Sequence, residues 1–81
     1  MTRIDVENRI TEIISDKLGV RKEEITLHSD FRRDLSADSL DISELIMNLE
    51  DEFSINVPET EIVNMKLVGD VVDYVEKAVI K

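Results

Sequence analysis

The stretch Asp38-Ser39-Leu40-Asp41-Ile42-Ser43-Glu44-Leu45-Ile46-Met47-Asn48-Leu49-Glu50-Asp51-Glu52-Phe53 decides how this chain folds. Ile42, Leu45, Ile46, Leu49 and Phe53 recur at i, i+3, i+4, i+7 and i+11. At roughly 100° per residue they share a stripe about 100° wide, which predicts a helix from Ser39 to about Phe53 with that stripe in the core. Asp38 is a good N-cap, and Asp41 adds negative charge to the first turn, where the helix dipole favours it. On the opposite face Leu40, Glu44, Met47 and Asp51 lie within roughly 60° of one another. This outward patch is either a solvated face with two stray apolar residues or a docking surface beside Ser39.

Working outward, Val6, Ile10, Ile13 and Ile14 carry the helical period from about Arg3 to Leu18. Thr2 and Asp5 suit a capping pattern at its start, and Gly19 suits a left-handed end. Residues 20–37 are polar with apolar anchors at Ile25, Leu27, Phe31 and Leu35, which predicts a long, ordered connection. Pro58 suits the first position of a short helix to about Asn64. A last helix is expected from about Asp70 to Val79, burying Val68, Val71, Val72, Val75 and Val79. The fold class is therefore all-α: three long helices plus one short, with a long loop between the first and second.

Charge is unevenly distributed. From Asp34 to Met65 there are nine carboxylates and no Lys, Arg or His, whereas the remaining ten acids are balanced by ten bases. The whole net charge of −9 thus resides in one segment, which argues against nucleic acid and for partners with basic surfaces. At 81 residues the chain is expected to be a single domain, 1–81, with a small core and little room for a catalytic cavity. The absence of cysteine excludes disulfides and Cys-based metal sites, and means any thioester would need a sulfur attached afterwards. No signal-like or membrane-spanning apolar run is visible, so the expectation is a cytoplasmic monomer without membrane insertion.

Leu35-Ser36-Ala37-Asp38-Ser39-Leu40-Asp41, Glu44-Leu45, Met47 and Leu49-Glu50-Asp51-Glu52-Phe53 resemble the acyl carrier proteins of fatty acid synthesis. The likeness extends to Leu18-Gly19-Val20, Phe31, Asp34-Leu35, Val57-Pro58 and Asp73-Tyr74. The resemblance implies a four-helix acyl-carrier-type bundle that catalyses nothing. It implies that Ser39 receives 4′-phosphopantetheine from coenzyme A through a phosphopantetheinyl transferase, which Asp38 helps to engage. The arm's thiol would carry acyl intermediates as thioesters to fatty acid synthesis and acyl transfer enzymes with basic docking patches. Leu40, Asp41, Glu44, Met47, Asn48, Glu50 and Asp51 match the docking face of such carriers. Ile46, Phe53, Ile62, Met65, Val71, Val72 and Tyr74 match the positions that line the acyl-chain pocket.

Some positions depart from the family pattern. Ser36 stands where glycine is common, and Arg32 and Arg33 stand where apolar and acidic residues are more usual. Asn48 replaces a typical alanine, Leu67-Val68-Gly69 replaces a threonine-bearing start to the last helix, and Val71 is bulkier than the usual residue. These differences leave open a specialised stand-alone carrier for another acyl or aminoacyl pathway. A helical adaptor with unmodified Ser39, acting there as a plain capping-region serine, also stays open. Asp34-x-Ser36-x-Asp38 imitates the start of an EF-hand calcium loop but lacks the glycine at position six and the glutamate at position twelve. A hydrolase reading fails on the missing elbow glycines and on a lone histidine, His28, in the polar loop.

Overall fold

A computed structural model describes residues 2–79; residues 1, 80 and 81 of the expected 1–81 domain lie outside the described part. The helices are α1 (Arg3–Leu18), α2 (Ser39–Phe53), α3 (Glu59–Ile62) and α4 (Val68–Val79), and a 3-10 turn, Lys22–Glu24, follows α1. The all-α bundle of three long helices and one short one, with a long connection between α1 and α2, is the architecture the periodicity predicts. α1 lies against both α2 and α4.

Each long helix contributes one apolar face. Val6, Ile10 and Ile14 of α1, Ile42, Leu45, Ile46 and Leu49 of α2, and Val68, Val71, Val72 and Val75 of α4 are buried together. Ile13, Phe53 and Val79, also expected inside, sit at the edge of this core, half-buried. In α4 a buried valine gains about 1.5–3 kcal/mol from burial. It forfeits less than about 0.7 kcal/mol in helix propensity, so packing decides the conformation.

The helix ends follow local chemistry. Both Thr2–Asp5 and Asp38–Asp41 form reciprocal capping boxes, in which each side chain accepts a hydrogen bond from the other residue's amide. α1 stops at Gly19 with φ 70° and α2 at Ser54 with φ 54°, both left-handed. Two boundaries differ from expectation. Pro58 precedes α3 as its extended N-cap rather than opening it, and the helix closes at Ile62. α4 begins at Val68, because Asp70 Oδ2 accepts hydrogen bonds from the Lys66 and Leu67 amides at 3.1 and 3.0 Å. Asp70 is thus the third helical residue, reaching back to cap its own start in place of an N-cap side chain.

The connection between α1 and α2 is seamed to the chain preceding α4. Phe31 N donates to Lys66 O at 3.0 Å, Val68 N to Ser29 O at 3.0 Å, and Gly69 N to Leu27 O at 2.9 Å. An isolated antiparallel bridge joins Asp30 and Leu67. Phe31, only 1% exposed, anchors this seam in the core, with Leu35 and Ala37 buried after it. The seam fixes where the chain must stand when it turns into α2, and hence where Ser39 is held.

Ion pairs tie the helices on the outside. Arg3 of α1 bridges Asp73 and Glu76 of α4 at 3.0 and 2.6 Å. Arg9 of α1 reaches Glu52 of α2 at 2.8 Å, and Lys17 reaches Glu44. Part of the acidic segment is therefore matched by α1 cations, a pairing that composition alone did not locate.

Candidate functional site

Ser39 is exposed at the first position of α2. Its hydroxyl is not needed for the cap, since Asp38 Oδ1 already accepts from the Asp41 amide at 2.9 Å. Asp41 Oδ2 in turn accepts from the Asp38 amide at 3.1 Å. Both carboxylates of the Asp-Ser-Leu-Asp turn are thereby committed to backbone, leaving the serine side chain outside their network. The Ser39 Oγ instead accepts a hydrogen bond from Arg32 Nη2 at 2.8 Å.

Arg32 is delivered by a tight turn. Asp30 Oδ1 accepts from the amides of both Arg32 and Arg33 at 2.9 Å, and Asp34 Oδ2 accepts from the Asp30 amide at 2.8 Å. The backbone closes the same turn, with Asp34 N donating to Asp30 O at 2.8 Å. The Arg33 amide, helped by the Arg32 amide and the Arg33 and Lys66 charges, holds the Asp30 carboxyl below the usual aspartate range. Ser36 then takes a left-handed conformation, φ 57°. That backbone requirement explains why glycine suits this position and why serine there is strained.

A cleft of about 670 Å³ opens beside Ser39. Phe31, Ile42, Ile62 and Met65 give it an apolar floor, and Arg32, Arg33 and Lys66 give it a cationic rim. Ile62 and Met65 are the two expected acyl-pocket residues that line it. Ile46, Val71 and Val72 are instead packed in the core, and Phe53 and Tyr74 sit half-buried against that core, with Tyr74 Oη donating to Asn56 O at 3.2 Å. Phe31, Ile42 and Val63 are lining residues that sequence reasoning did not assign to the cleft. A signal for Phe31 was its isolation as an aromatic anchor in a polar loop.

On the outward face of α2, Leu40 and Met47 are 66% and 61% exposed. Asn48 and Asp51 are exposed beside them, bordering a groove against Ile13, Asp16 and Lys17 of α1. Glu44 is half-buried and paired with Lys17. Glu50 is turned elsewhere: its Oε2 accepts from the Val57 amide at 2.8 Å, tying α2 to the segment before α3. The EF-hand imitation is spent on structure, with Asp34 on the Asp30 amide and Asp38 on the α2 cap. Among the described residues no group of three or more His, Cys, Asp or Glu is arranged to hold a metal ion. His28 is exposed in the loop, its amide donating to Thr26 Oγ1 at 3.2 Å.

A family profile described as a phosphopantetheine attachment site matches residues 8–75. The chain is 46% identical over 79 residues to the acyl carrier protein of Exiguobacterium sibiricum, covering 98% of this chain and 100% of that relative. It is 44% identical over 73 residues to the acyl carrier protein of Porphyromonas gingivalis, covering 90% of this chain and 94% of the relative. The chain belongs to the acyl carrier protein family. It is accordingly a carrier and not a catalyst, built around a phosphopantetheine attachment domain. Residues 8–75 run from the middle of α1 to the last buried valine of α4, so the matched domain contains the turn at Ser39, the cleft and the acidic face of α2.

Proposed function

We propose that Ser39 is the residue to which 4′-phosphopantetheine is attached, and that the carrier serves fatty acid synthesis. The observation that carries this reading is an exposed hydroxyl at the first turn of α2, free of the helix cap and on the edge of an apolar-floored cleft. The site fits the group: an anionic linkage there meets the positive end of the α2 dipole and the Arg32 guanidinium. When bound, the arm supplies the thiol that this cysteine-free chain lacks, so that acyl groups can be held as thioesters. The chain's own part is to present the attachment oxygen, shield the acyl group and offer a readable surface.

Asp38 is the natural point of engagement for the phosphopantetheinyl transferase, since it fixes the turn that presents Ser39. Leu40 and Met47 supply apolar contact, while Asp41, Glu44, Asn48 and Asp51 surround them with polar and acidic groups for partner enzymes bearing basic patches. Glu50 acts indirectly, through its hold on Val57. Ile62 and Met65 guide the acyl chain at the cleft. Penetration toward Ile46, Phe53, Val71, Val72 and Tyr74 requires the packed core to open. The setting is a cytoplasmic one, with the carrier working as a monomer.

Intact-mass measurement after incubation with coenzyme A and a broad-specificity phosphopantetheinyl transferase tests the attachment. One phosphopantetheine mass should be added to the wild type and none to Ser39→Ala. No addition to the wild type, or equal addition to the variant, removes the reading. A specialised carrier is the second reading, favoured by the Arg32–Arg33 pair at the cleft; exchange of the acyl group by fatty acid synthesis enzymes separates the two.

A further inference from the structure

Among the described residues five Lys and Arg side chains make no ion pair within 4.0 Å: Lys22 and Lys77 lie outside the cleft, whereas Arg32, Arg33 and Lys66 share it. Arg3, Arg9, Lys17 and Arg21 each pair with a carboxylate. Among the described residues Arg32, Arg33 and Lys66 make no ion pair within 4.0 Å, although the chain carries a net charge of −9. All three line the same cleft, where Asp30 is the one carboxylate and is occupied by two backbone amides. Asp30 feels the Arg33 and Lys66 charges, but one carboxylate against three cations leaves the cleft net positive, which favours an incoming anion.

Arg32 narrows down where that anion sits. Its Nη2 is 2.8 Å from Ser39 Oγ, and Oγ becomes an ester oxygen on attachment of the arm. Phosphorus is then one covalent bond from an atom the guanidinium already touches. A guanidinium carries five donors in a fixed fork, well matched to phosphate oxygens. The Asp30 carboxylate, gripping the Arg32 and Arg33 amides, holds the fork's backbone in place before any anion arrives.

Resting on the assignment of Ser39 as the attachment residue, we infer that Arg32 is a binding residue for the phosphodiester of the arm. It holds the first segment of the arm against the cleft mouth, while Arg33 and Lys66 strengthen the positive potential there. Arg32 is a positioning residue in this role, and the site recognises a phosphodiester rather than a free acyl carboxylate.

Phosphorus NMR of the intact holo-protein tests this, with the urea-unfolded holo-protein as reference. The folded wild type should show a displaced 31P resonance. Arg32→Ala should lose half or more of that displacement, Arg32→Lys should retain an intermediate part, and Arg33→Ala should keep most of it. Equal 31P positions in wild type and Arg32→Ala overturn the inference, because the helix end alone then accounts for the shift. Should Arg32→Ala misfold, the Arg32 Nε–H signal of the wild type decides: it should move between apo and holo protein, and an unchanged signal overturns the inference. Mass measurement is made on every sample, and failure of the wild type to load sinks the Ser39 assignment instead.

Discussion

Replacing Gly69 by alanine sets two physical effects against each other, and the structure says which prevails. Gly69 is the second residue of α4, and its amide donates to Leu27 O at 2.9 Å. A Cβ at this position would meet that same carbonyl oxygen at 2.9 Å and the Leu27 Cβ at 3.5 Å. The oxygen belongs to backbone that the neighbouring Ser29–Val68 and Phe31–Lys66 hydrogen bonds hold fast, so it cannot swing aside like a side-chain tip. Overpacking of this kind costs roughly 1–3 kcal/mol. Loosening the Leu27–Gly69 bond adds about 0.5–1.5 kcal/mol. Alanine gains at most about 1 kcal/mol over glycine in helix propensity, and less at a helix end than in its interior. At mid-range these give a net destabilisation of about 2 kcal/mol, or roughly 8–16 °C in Tm for a domain of this size. Thermal and urea unfolding measure it, and amide exchange at Phe31 and Val68 should accelerate as the seam opens. A Tm equal to or above the wild type would mean that propensity prevails and that the seam is not rigid.

Ser54→Gly should relieve the left-handed strain at the end of α2 and raise stability by up to about 1 kcal/mol, the gain being limited by glycine's larger unfolded entropy; a lower urea midpoint would contradict it. In acid, Asp5, Asp30 and Glu52 all have pKa values lowered in the fold, by the Thr2 amide, the Arg33 amide and the Arg9 side chain respectively. A depressed carboxyl pKa gives stability that is complete above the unfolded value and is lost as pH falls through the folded one. Tm should therefore drop below about pH 4, and Asp30→Asn should lower Tm at neutral pH while making the acid loss shallower, as a pH series of melts would show. Val71 and Val72 are buried core residues, and in the proposed function their bulk would narrow the space an acyl chain can open. Tm across a butanoyl-to-hexadecanoyl series should accordingly peak at medium length, and a steady rise to hexadecanoyl would refute that.

Helices α1 and α2 were legible because their apolar period and N-terminal caps point to the same boundaries, and Gly19 marked the left-handed end of α1; the left-handed Ser54 that closes α2 carried no such signal. The start of α4 was displaced by two residues because its cap is supplied from inside the helix, by Asp70 reaching back. Linear reading takes a polar residue before an apolar run as the cap. The outward set Leu40, Glu44, Met47 and Asp51 followed from helix geometry, but the fate of each carboxylate did not. Glu44 and Glu52 found cations on α1, and Glu50 found an amide near α3, through contacts between elements far apart in sequence. The Arg32–Ser39 contact was out of reach for a sharper reason. It depends on the turn built by Asp30 and Asp34 and on the left-handed Ser36, none of which has a periodic signature.

Pairing of α2 acids with α1 cations raises the question of how such a face can still attract basic partners. The pairs answer it by their exposure. The side chains of Arg9 and Glu52 are 44% and 37% exposed, and an ion pair in that setting is worth only about 0–1 kcal/mol. A partner's lysine or arginine can displace Arg9 at little cost, so this pairing does not close the face to docking. Asp51 is exposed and makes no ion pair within the described residues, so in the proposed docking it is open to a partner's cation. Charge therefore governs how fast and from which side a partner approaches, while discrimination among basic partners falls to the exposed Leu40 and Met47 side chains, whose contact area an ion cannot imitate. The cationic cleft at Ser39 lies outside this acidic face. In the proposed function one small bundle would thus present opposite charge to two different tasks, acids toward the enzymes and bases toward the arm.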